Sequence, residues 1–434
     1  MDTTPDVDAD VVVVGAGCAG TAAALKLAQA GLSVIVIDRG DTPGAKNLSG
    51  GVLYTHAATD LFDGFLAHAP VERVITRNVV QFLNAGSGVA IDYRDQALEG
   101  NAVSVLRARL DPWLAAQCES AGAMVMPGVR VDRLVIEDAG GQRRVLGVEA
   151  GGDTLRCHHV VAADGVNSFL SRAAGLRSAP RPNQLAVGIK STVALDAAAI
   201  EARFGVSGHE GAAFAVVGDC TEGIGGGGFL YTNRESVSIG VVLRLDDLAA
   251  SGKTSSDVHD RFLAHPLVAP YLKGGELLEY GCHLVAEGGL AMVGEIAMDG
   301  LVVVGDAAGL TLNTGLTVRG MDLAMASGAA AAEAIAAGQA NGEAAGIGAD
   351  YRRRLFASFV GKDMETYAKA PAFLERRRLY GAYGDLAASV LRGAFLHDRR
   401  PRRHLASVAW GALRGSGIGL SKVAGDGLAG VRAL

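Results

Sequence analysis

The segment Val11-Val12-Val13-Val14-Gly15-Ala16-Gly17-Cys18-Ala19-Gly20 carries the strongest fold signal of this 434-residue chain. Four consecutive valines are typical of a strand that is buried on both faces of a parallel sheet. The glycines that follow have the spacing G-x-G-x-x-G, which lets the backbone approach a pyrophosphate lying against the positive end of a helix. The segment therefore predicts a dinucleotide-binding strand, loop and helix. Its candidate contacts are Gly15, Ala16, Gly17, Cys18, Ala19 and Gly20.

A second apolar run, Val34-Ile35-Val36-Ile37-Asp38, ends in an acidic residue. Asp38 lies 18 residues beyond Gly20, close to the spacing at which an acidic residue binds the adenosine ribose. We therefore expect Asp38, with the adjacent Arg39, at the AMP half of the dinucleotide.

A later motif, Val302-Val303-Val304-Gly305-Asp306-Ala307-Ala308-Gly309, repeats the pattern of a buried strand followed by a glycine turn. Two contacts far apart in the sequence suit FAD, which reaches across a whole domain, better than NAD. Asp306 is placed to bind the ribityl chain, and Gly305 belongs to the same turn. The chain then enters an alanine-rich helix near Asp322, whose N-terminus would stabilise negative charge at the pyrimidine end of the flavin.

Three side chains are candidates for a role in the chemistry. Lys46 lies in a glycine-rich loop where it either approaches the flavin ring or anchors the loop. Tyr231 either faces a substrate or packs in a sheet. Arg319 precedes the alanine-rich helix, where it pairs with Asp322 or with another anion.

Composition restricts the class of protein. The five cysteines are 39 to 100 residues apart and form no CxxC, so neither a zinc site nor an iron–sulfur cluster is indicated. The polar, acidic start of the chain is not that of a signal peptide, and no run of 18 apolar residues occurs. We expect a cytoplasmic protein. A pI near 5.9 and the lack of a recognised binding module argue against nucleic acid as a partner.

Positive charge is concentrated at the C-terminus. Residues 350–434 contain 16 Lys or Arg and 7 Asp or Glu, a net charge of +9 in a chain whose net charge is −6. Hydrophobic residues lie between the basic clusters, so short amphipathic helices are expected. Three interpretations stay open: a solvated helical face, a docking site for an acidic redox partner, and a peripheral contact with the inner face of the membrane.

The remaining chain predicts a discontinuous architecture. A helix is expected from Asp111-Pro112, with Asp111 as N-cap. A strand ends at the turn Asp164-Gly165. Alternating strands are expected from about 184 to 289, with a hairpin around 233–236. No Ser-His-Asp or Cys-His arrangement is evident, so the flavin itself would carry the chemistry.

The chain resembles the FixC flavoproteins, which belong with electron-transfer-flavoprotein:quinone oxidoreductases and, more distantly, geranylgeranyl reductases. The most specific matching segments are Lys46-Asn47-Leu48-Ser49-Gly50-Gly51 and Arg319-Gly320-Met321-Asp322. Other matches, such as Lys362-Asp363-Met364 and Asp426-Gly427, extend the resemblance nearly to the C-terminus. Family members of the mitochondrial type carry an added ferredoxin domain, which this chain lacks, so the match is to the FixC branch.

The resemblance implies an α/β fold: a Rossmann-type FAD-binding domain like that of p-hydroxybenzoate hydroxylase, with an inserted antiparallel sheet and a helical C-terminus. The predicted ranges are 1–183 with 290–345 for FAD, 184–289 for the substrate or quinone, and 346–434 for the basic helical region. Arg107 and the Asp164 turn are implied near the pyrophosphate. The further candidate cofactor contacts are Asn47, Gly50, Gly51, Val131, Gly165, Gly315 and Leu316.

The function that the resemblance implies is electron transfer. Electrons would come from the subunits of an electron-transfer flavoprotein and pass to quinone or to a ferredoxin-like iron–sulfur protein. The alternative is a stand-alone FAD-dependent reductase or monooxygenase acting on a small or prenyl substrate. Against the prenyl version, Gly228-Phe229-Leu230-Tyr231-Thr232-Asn233 stands where those reductases carry an aromatic-Trp-aromatic-Pro segment.

Overall fold

The computed structural model describes residues 7–47, 50–342 and 346–434. Leu48 and Ser49 of the predicted flavin loop lie outside the described residues, as does the predicted boundary at residue 345.

The described residues form 19 strands and 16 α-helices. The strands are β1 (Ala9–Val14), β2 (Val34–Asp38), β3 (Gly51–Tyr54), β4 (Val71–Asn84), β5 (Ser87–Arg94), β6 (Ala102–Val105), β7 (Met124–Pro127), β8 (Val131–Ala139), β9 (Gln142–Ala150), β10 (Asp153–Ala162), β11 (Leu185–Ala194), β12 (Glu210–Gly218), β13 (Gly226–Thr232), β14 (Ser236–Arg244), β15 (Glu276–Ala286), β16 (Ala297–Met298), β17 (Leu301–Val303), β18 (Leu312–Asn313) and β19 (Val318–Arg319). The helices are α1 (Cys18–Gln29), α2 (His56–Leu61), α3 (Phe65–His68), α4 (Arg107–Ser120), α5 (Phe169–Ala173), α6 (Ala197–Phe204), α7 (Leu245–Ser251), α8 (Ser255–Ala264), α9 (Ala269–Leu272), α10 (Met321–Asn341), α11 (Ile347–Ala357), α12 (Phe359–Thr366), α13 (Ala370–Leu374), α14 (Ala382–Phe395), α15 (Leu405–Gly415) and α16 (Leu420–Ala433).

The first sheet has the strand order β16-β17-β10-β1-β2-β7, to which the β8–β9 hairpin adds at β10. Strands β17, β10, β1, β2 and β7 run parallel to one another. The four valines of β1 are buried, because the strand lies at the centre of the sheet with helices packed over it. The predicted strand, helix and strand over residues 7–37 are confirmed, and the fold class is the predicted Rossmann-type FAD domain with a second sheet.

The second sheet has the order β15-β11-β14-β13-β12-β4-β6-β3, with β5 paired to β4. The predicted hairpin is confirmed, since β13 and β14 are antiparallel neighbours. Four strands between residues 51 and 105 belong to this sheet, although the predicted range 1–183 assigns them to the first. They join it through the parallel pairing of β4 with β12. Helices α6 to α9 lie within 184–289, where only strands were predicted.

One helix boundary differs from the prediction. The helix α4 begins at Arg107, not at Asp111-Pro112, and Pro112 lies inside it. Asp111 is therefore not an N-cap. It is fully buried and bonded to Arg107 one turn earlier, so its carboxylate forms an ion pair within the helix.

Close contact between α1 and α10 joins the two ends of the FAD domain. A Cβ placed on Gly328 of α10 would lie 2.1 Å from the carbonyl oxygen of Ala19 in α1. The backbones of the two helices therefore touch. The arrangement brings the N-terminus of α1 and the N-terminus of α10 to one side of the first sheet.

Candidate functional site

A cavity of about 1330 Å³ lies between the two sheets and the C-terminal helices. It contains most of the residues predicted as cofactor contacts, together with two of the three predicted for the chemistry. The predicted residues that line it are Gly15, Gly17, Cys18, Ala19, Asp38, Arg39, Lys46, Asn47, Gly50, Gly51, Arg107, Val131, Asp164, Gly165, Tyr231, Asp306, Gly315 and Leu316. The predicted residues Ala16, Gly20, Gly305 and Arg319 are not among its lining residues.

The glycines of the first loop are needed for different contacts. Gly15 has φ of +107°, and a Cβ there would lie 2.3 Å from the carbonyl oxygen of Ala163. Gly20 faces the loop instead of the cavity, because a Cβ there would lie 1.9 Å from the carbonyl oxygen of Gly15. A side chain at Gly15 would push the loop away from the end of β10, and one at Gly20 would force the loop and α1 apart. Gly17 leaves room for Arg107, whose Nη2 lies 3.5 Å from where a Cβ would stand.

Asp38 ties the loop to the end of β2. One carboxylate oxygen accepts from the N–H of Ala16 at 2.8 Å, and the other accepts from the N–H of Gly40 at 2.7 Å. Asp38 also lines the cavity. Ala16 thus contributes its backbone to the site without lining the cavity.

These residues fit the pyrophosphate and AMP half of FAD. The loop packs at Gly15 against the backbone that follows β10, and the first N–H groups of α1 have no partner within the helix. Next to this loop, Asp164 accepts from the N–H of Leu170 with one oxygen, whereas its buried Oδ1 has no hydrogen-bond partner. Burial raises the pKa of Asp164. A buried polar atom of this kind is expected where a ligand supplies the missing partner.

Arg107 is held in the cavity wall by a buried ion pair. Its Nε and Nη2 donate to Asp111 at 2.5 and 2.7 Å. Asn47 donates to the same carboxylate at 2.7 Å, so the flavin loop and α4 share one anchor. The predicted placement of Arg107 and Asn47 in one site agrees with this geometry, whereas Asp111 was not predicted as part of it.

Asp306 lies half-buried at the turn after β17. Burial raises the pKa of its carboxyl group, while Arg107, His283 and Arg177 act in the opposite direction. Arg177 fixes the turn by donating to the carbonyl oxygen of Ala307 at 2.8 Å. Gly305 supports the turn from behind, because a Cβ there would lie 2.8 Å from the Cβ of Ala19. The turn is thus set against α1, facing the cavity.

Lys46 and Tyr231 both face the cavity. Lys46 is exposed on the flavin loop. Tyr231 of β13 stacks on Phe229 with ring centroids 5.0 Å apart, and burial raises its pKa. Tyr231 therefore packs within the sheet and also lines the cavity, and its contact with a substrate stays a prediction.

Arg319 does not reach the cavity, so its predicted role in the chemistry lacks support from its position. Its guanidinium donates to Asp322 and to Asp363 at 2.5 to 2.7 Å, and it lies over the rings of Tyr54 and Phe359. Of the two predicted alternatives, the pair with Asp322 is present. The ion triad fastens the start of α10 to α12, which is a structural role.

Cys18 is a packing residue. Burial raises the pKa of its thiol to about 12, so burial outweighs the effect of the helix N-terminus. The thiol therefore stays protonated at neutral pH beneath the loop.

Lys190 is a charged residue of the site that the sequence analysis missed. It lies on β11 with 4% of its surface exposed, and its Nζ donates to the carbonyl oxygen of Gly50 in the flavin loop. Burial lowers its pKa from 10.5 to about 7, and Arg107 acts in the same direction while Glu279 opposes them. A lone charged residue within a strand that is mostly apolar was the signal that could have identified it.

This shift predicts a pH-dependent stability. Between pH 7 and pH 10.5 the unfolded chain binds a proton at Lys190 that the folded chain does not, so stability rises with pH in that window. In the apoprotein the unfolding free energy of wild type, relative to Lys190→Met, should increase by about 1.4 kcal/mol per pH unit. Urea unfolding at several pH values measures it. Lys273→Met, at an exposed lysine, should keep the wild-type slope; equal slopes for all three proteins would contradict the assignment.

Comparison with known proteins agrees with this geometry. Residues 8–204 match the family model described as an FAD binding domain. The chain is 44% identical to the probable electron transfer flavoprotein-quinone oxidoreductase YdiS of Escherichia coli K12, over 98% of this chain and 99% of the relative. It is 42% identical to protein FixC of the same strain, over 90% of this chain and 91% of the relative.

The fold is also that of a solved structure, a geranylgeranyl bacteriochlorophyll reductase-like protein from Thermoplasma acidophilum. The two structures align with a TM-score of 0.71 at 19% identity, covering 96% of this chain and 98% of the other. Identity at this level speaks for the fold alone, whereas the two curated relatives cover nearly the whole chain at more than twice that identity. The chain therefore belongs to the family of FixC proteins and electron-transfer-flavoprotein–quinone oxidoreductases, and it is a FAD-dependent oxidoreductase.

Proposed function

We propose that this enzyme takes electrons from the subunits of an electron-transfer flavoprotein and passes them to a quinone. A ferredoxin-like iron–sulfur protein is the second proposed acceptor. The relative YdiS, a probable electron transfer flavoprotein-quinone oxidoreductase, supports the donor and the quinone. The observation in this chain that carries the proposal is one cavity that reaches from the dinucleotide loop to the C-terminal helices.

The far end of this cavity is apolar. It is lined by apolar side chains from α13 and the C-terminal helices, namely Phe373, Leu374, Leu379, Val423 and Leu434. A Cβ on Gly315 would lie 3.1 Å from the Cδ2 of Leu374, so this apolar wall meets the loop predicted at the pyrimidine end of the flavin. A quinone ring with its hydrocarbon tail suits such a wall.

Asp426 fastens the last helix to the cavity wall. Its carboxylate is buried and accepts from Arg376, Arg378 and Tyr383. Arg378 and Tyr383 hold the pKa of Asp426 far below its ordinary range. Because Tyr383 and Asp426 both line the cavity, the cluster fixes α16 where it excludes water from the apolar end.

When bound, FAD supplies the redox chemistry and can exchange electrons with one-electron and two-electron partners. The chain's own residues bind and orient it. The Gly15 loop and Asp38 hold the AMP half, and Arg107 with Asp306 lies near the centre of the cavity. Gly320 and Met321 at the N-terminus of α10 line the same cavity as Gly315, where the positive end of the helix would stabilise added negative charge.

Anaerobic stopped-flow absorbance tests the proposal. The flavin of the purified protein should be bleached rapidly by a reduced electron-transfer flavoprotein and reoxidised by a quinone analogue, while NADPH alone should react slowly. Rapid reduction by NADPH in the presence of a small substrate, with none by the flavoprotein, would favour the alternative of a stand-alone reductase or monooxygenase.

The C-terminal helices suggest where the enzyme takes up its quinone. No residue of α15 is buried, and Phe395 and Val431 are 77% and 84% exposed. The exposed arginines Arg399, Arg400, Arg402 and Arg403 lie in the same region. We name these residues the basic C-terminal surface. Apolar side chains among arginines favour an anionic membrane over a solvated face. Within the described ranges, no helix is long and apolar enough to span a bilayer, so the proposed contact is peripheral.

Neutralising the four arginines of the basic C-terminal surface to glutamine should weaken binding to anionic vesicles. Each charge near the surface contributes about 1 kcal/mol, so affinity should drop at least about tenfold at low salt and less at high salt. Co-sedimentation measures it. The control replaces four exposed arginines elsewhere, namely Arg94, Arg156, Arg181 and Arg261. An equal loss in both variants would show a general charge effect, and no loss in either would show a solvated face.

A further inference from the structure

Glu287 is an acidic side chain in the cavity wall that the function described above does not use. It follows β15 and lines the same cavity as Gly315, Leu374 and Tyr380. Its own N–H donates to the carbonyl oxygen of Gln184 at 2.8 Å, so the backbone holds it in place. Glu287 therefore lies where the second sheet meets the apolar end of the cavity.

A chain of hydrogen bonds connects Glu287 to the predicted flavin contact. Asn313 donates from Nδ2 to Glu287 Oε1 at 3.3 Å. The Oδ1 of the same amide accepts from the N–H of Gly315 at 2.8 Å. The carboxyl group is thus one side chain away from the loop at the pyrimidine end of the flavin, in the part of the cavity where an electron acceptor would approach.

The surroundings of Glu287 shift its pKa upward. Burial raises its pKa, while the bond from Asn313 and the charge of Arg244 lower it and Asp246 raises it. Tyr380 is a further titratable neighbour. A carboxyl group in the cavity wall, hydrogen-bonded to the side chain that holds the Gly315 loop, can exchange a proton with a bound ligand.

We propose that Glu287 donates a proton to a quinone carbonyl oxygen during its reduction; this inference rests on the proposed quinone acceptor. Reduction of a quinone to a quinol adds two electrons, which come from the reduced flavin, and two protons. At one oxygen an O–H bond forms as the O–H bond of Glu287 breaks. The carboxylate is then reprotonated from water, which also supplies the second proton.

The test compares Glu287→Gln with wild type in two reoxidation reactions of the reduced holoenzyme. The glutamine keeps an oxygen that accepts from Asn313 but carries no transferable proton. Reoxidation by a short-chain quinone should slow by about 100-fold, whereas reoxidation by ferricenium, which takes electrons without protons, should be unchanged. Glu287→Asp should restore part of the quinone rate. Glu276→Gln, at an exposed glutamate at the start of β15 outside the cavity, should leave both reactions unchanged.

Two further readouts accompany the rates. The quinone reaction of wild type should slow as rising pH deprotonates Glu287, and Glu287→Gln should lose this dependence. In the apoprotein, the infrared band of the Glu287 carboxyl group, followed as pH rises, should be absent from Glu287→Gln and present in Glu276→Gln.

The outcomes separate the inference from the proposed function. An unchanged quinone rate in Glu287→Gln, or an equal slowing with both acceptors, overturns the role of Glu287 while quinone reduction by wild type stands. Wild-type protein that is reoxidised by ferricenium but not by the quinone overturns the proposed acceptor, and the proton-donor role with it.

Discussion

Replacing Arg107 by methionine should lower the unfolding free energy by about 3–5 kcal/mol. The reason is the carboxylate left behind. Asp111 is fully buried and accepts two hydrogen bonds from Arg107, so its charge would lose its main compensation. Asn47 alone would remain as a donor. Urea unfolding of the apoprotein measures this loss.

The same variant should retain FAD poorly, because Arg107 also faces the loop at Gly17. The double variant Arg107→Met/Asp111→Asn separates the two effects: it removes the buried charge and should recover much of the stability, but not the FAD affinity. Arg133→Met is the matched control. Arg133 is 70% exposed and pairs with Glu149 at 2.7 Å, so its loss should cost less than about 1 kcal/mol. Equal losses for Arg107→Met and Arg133→Met would contradict the buried-pair argument.

The local parts of the FAD domain could be predicted from the sequence. The strand of valines, the glycine loop and α1 follow from short-range patterns. Asp38 follows from its spacing after the glycine loop, which is typical of the acidic residue in a βαβ nucleotide-binding unit. The start of α10 and the turn at Asp306 are equally local. Each of these elements is specified by residues within about 20 positions of each other.

Contacts between distant segments could not be predicted in this way. Strand β4 pairs in parallel with β12 across more than 130 residues, and no periodicity within residues 71–84 names its partner. Arg319 has an obvious local partner, Asp322, but its second partner Asp363 is 44 residues away. The position of an arginine in the sequence therefore said little about whether it faced the cavity. For Lys190, the mostly apolar sequence of its strand indicates burial, but it does not indicate which loop the side chain contacts.

Helix packing beneath the cofactor gives the second large effect. Gly328→Ala should destabilise the protein and impair FAD binding, because the added Cβ would stand 2.1 Å from the carbonyl oxygen of Ala19 and 3.1 Å from the backbone nitrogen of Ala23. Backbone atoms cannot rotate aside, so α1 and α10 must separate. Alanine favours a helix interior over glycine by about 1 kcal/mol, yet overpacking costs about 1–3 kcal/mol and at times more, so the net sign is a loss.

The matched control is a glycine-to-alanine substitution that should not lower the stability of the protein. Gly411 lies inside α15, and nothing stands within 4 Å of where its Cβ would be, so Gly411→Ala should be neutral or stabilising by up to about 1 kcal/mol. Thermal unfolding with and without FAD distinguishes the two variants. FAD should also raise the Tm of Gly328→Ala by less than it raises the Tm of wild type. The two helices carry the loops for the two ends of the cofactor, and a ligand stabilises the folded protein only as far as it binds to it. If Gly328→Ala destabilises the apoprotein but leaves the affinity for FAD unchanged, the helices adjust without moving those loops. Equal stability of Gly328→Ala and Gly411→Ala would contradict the backbone contact itself.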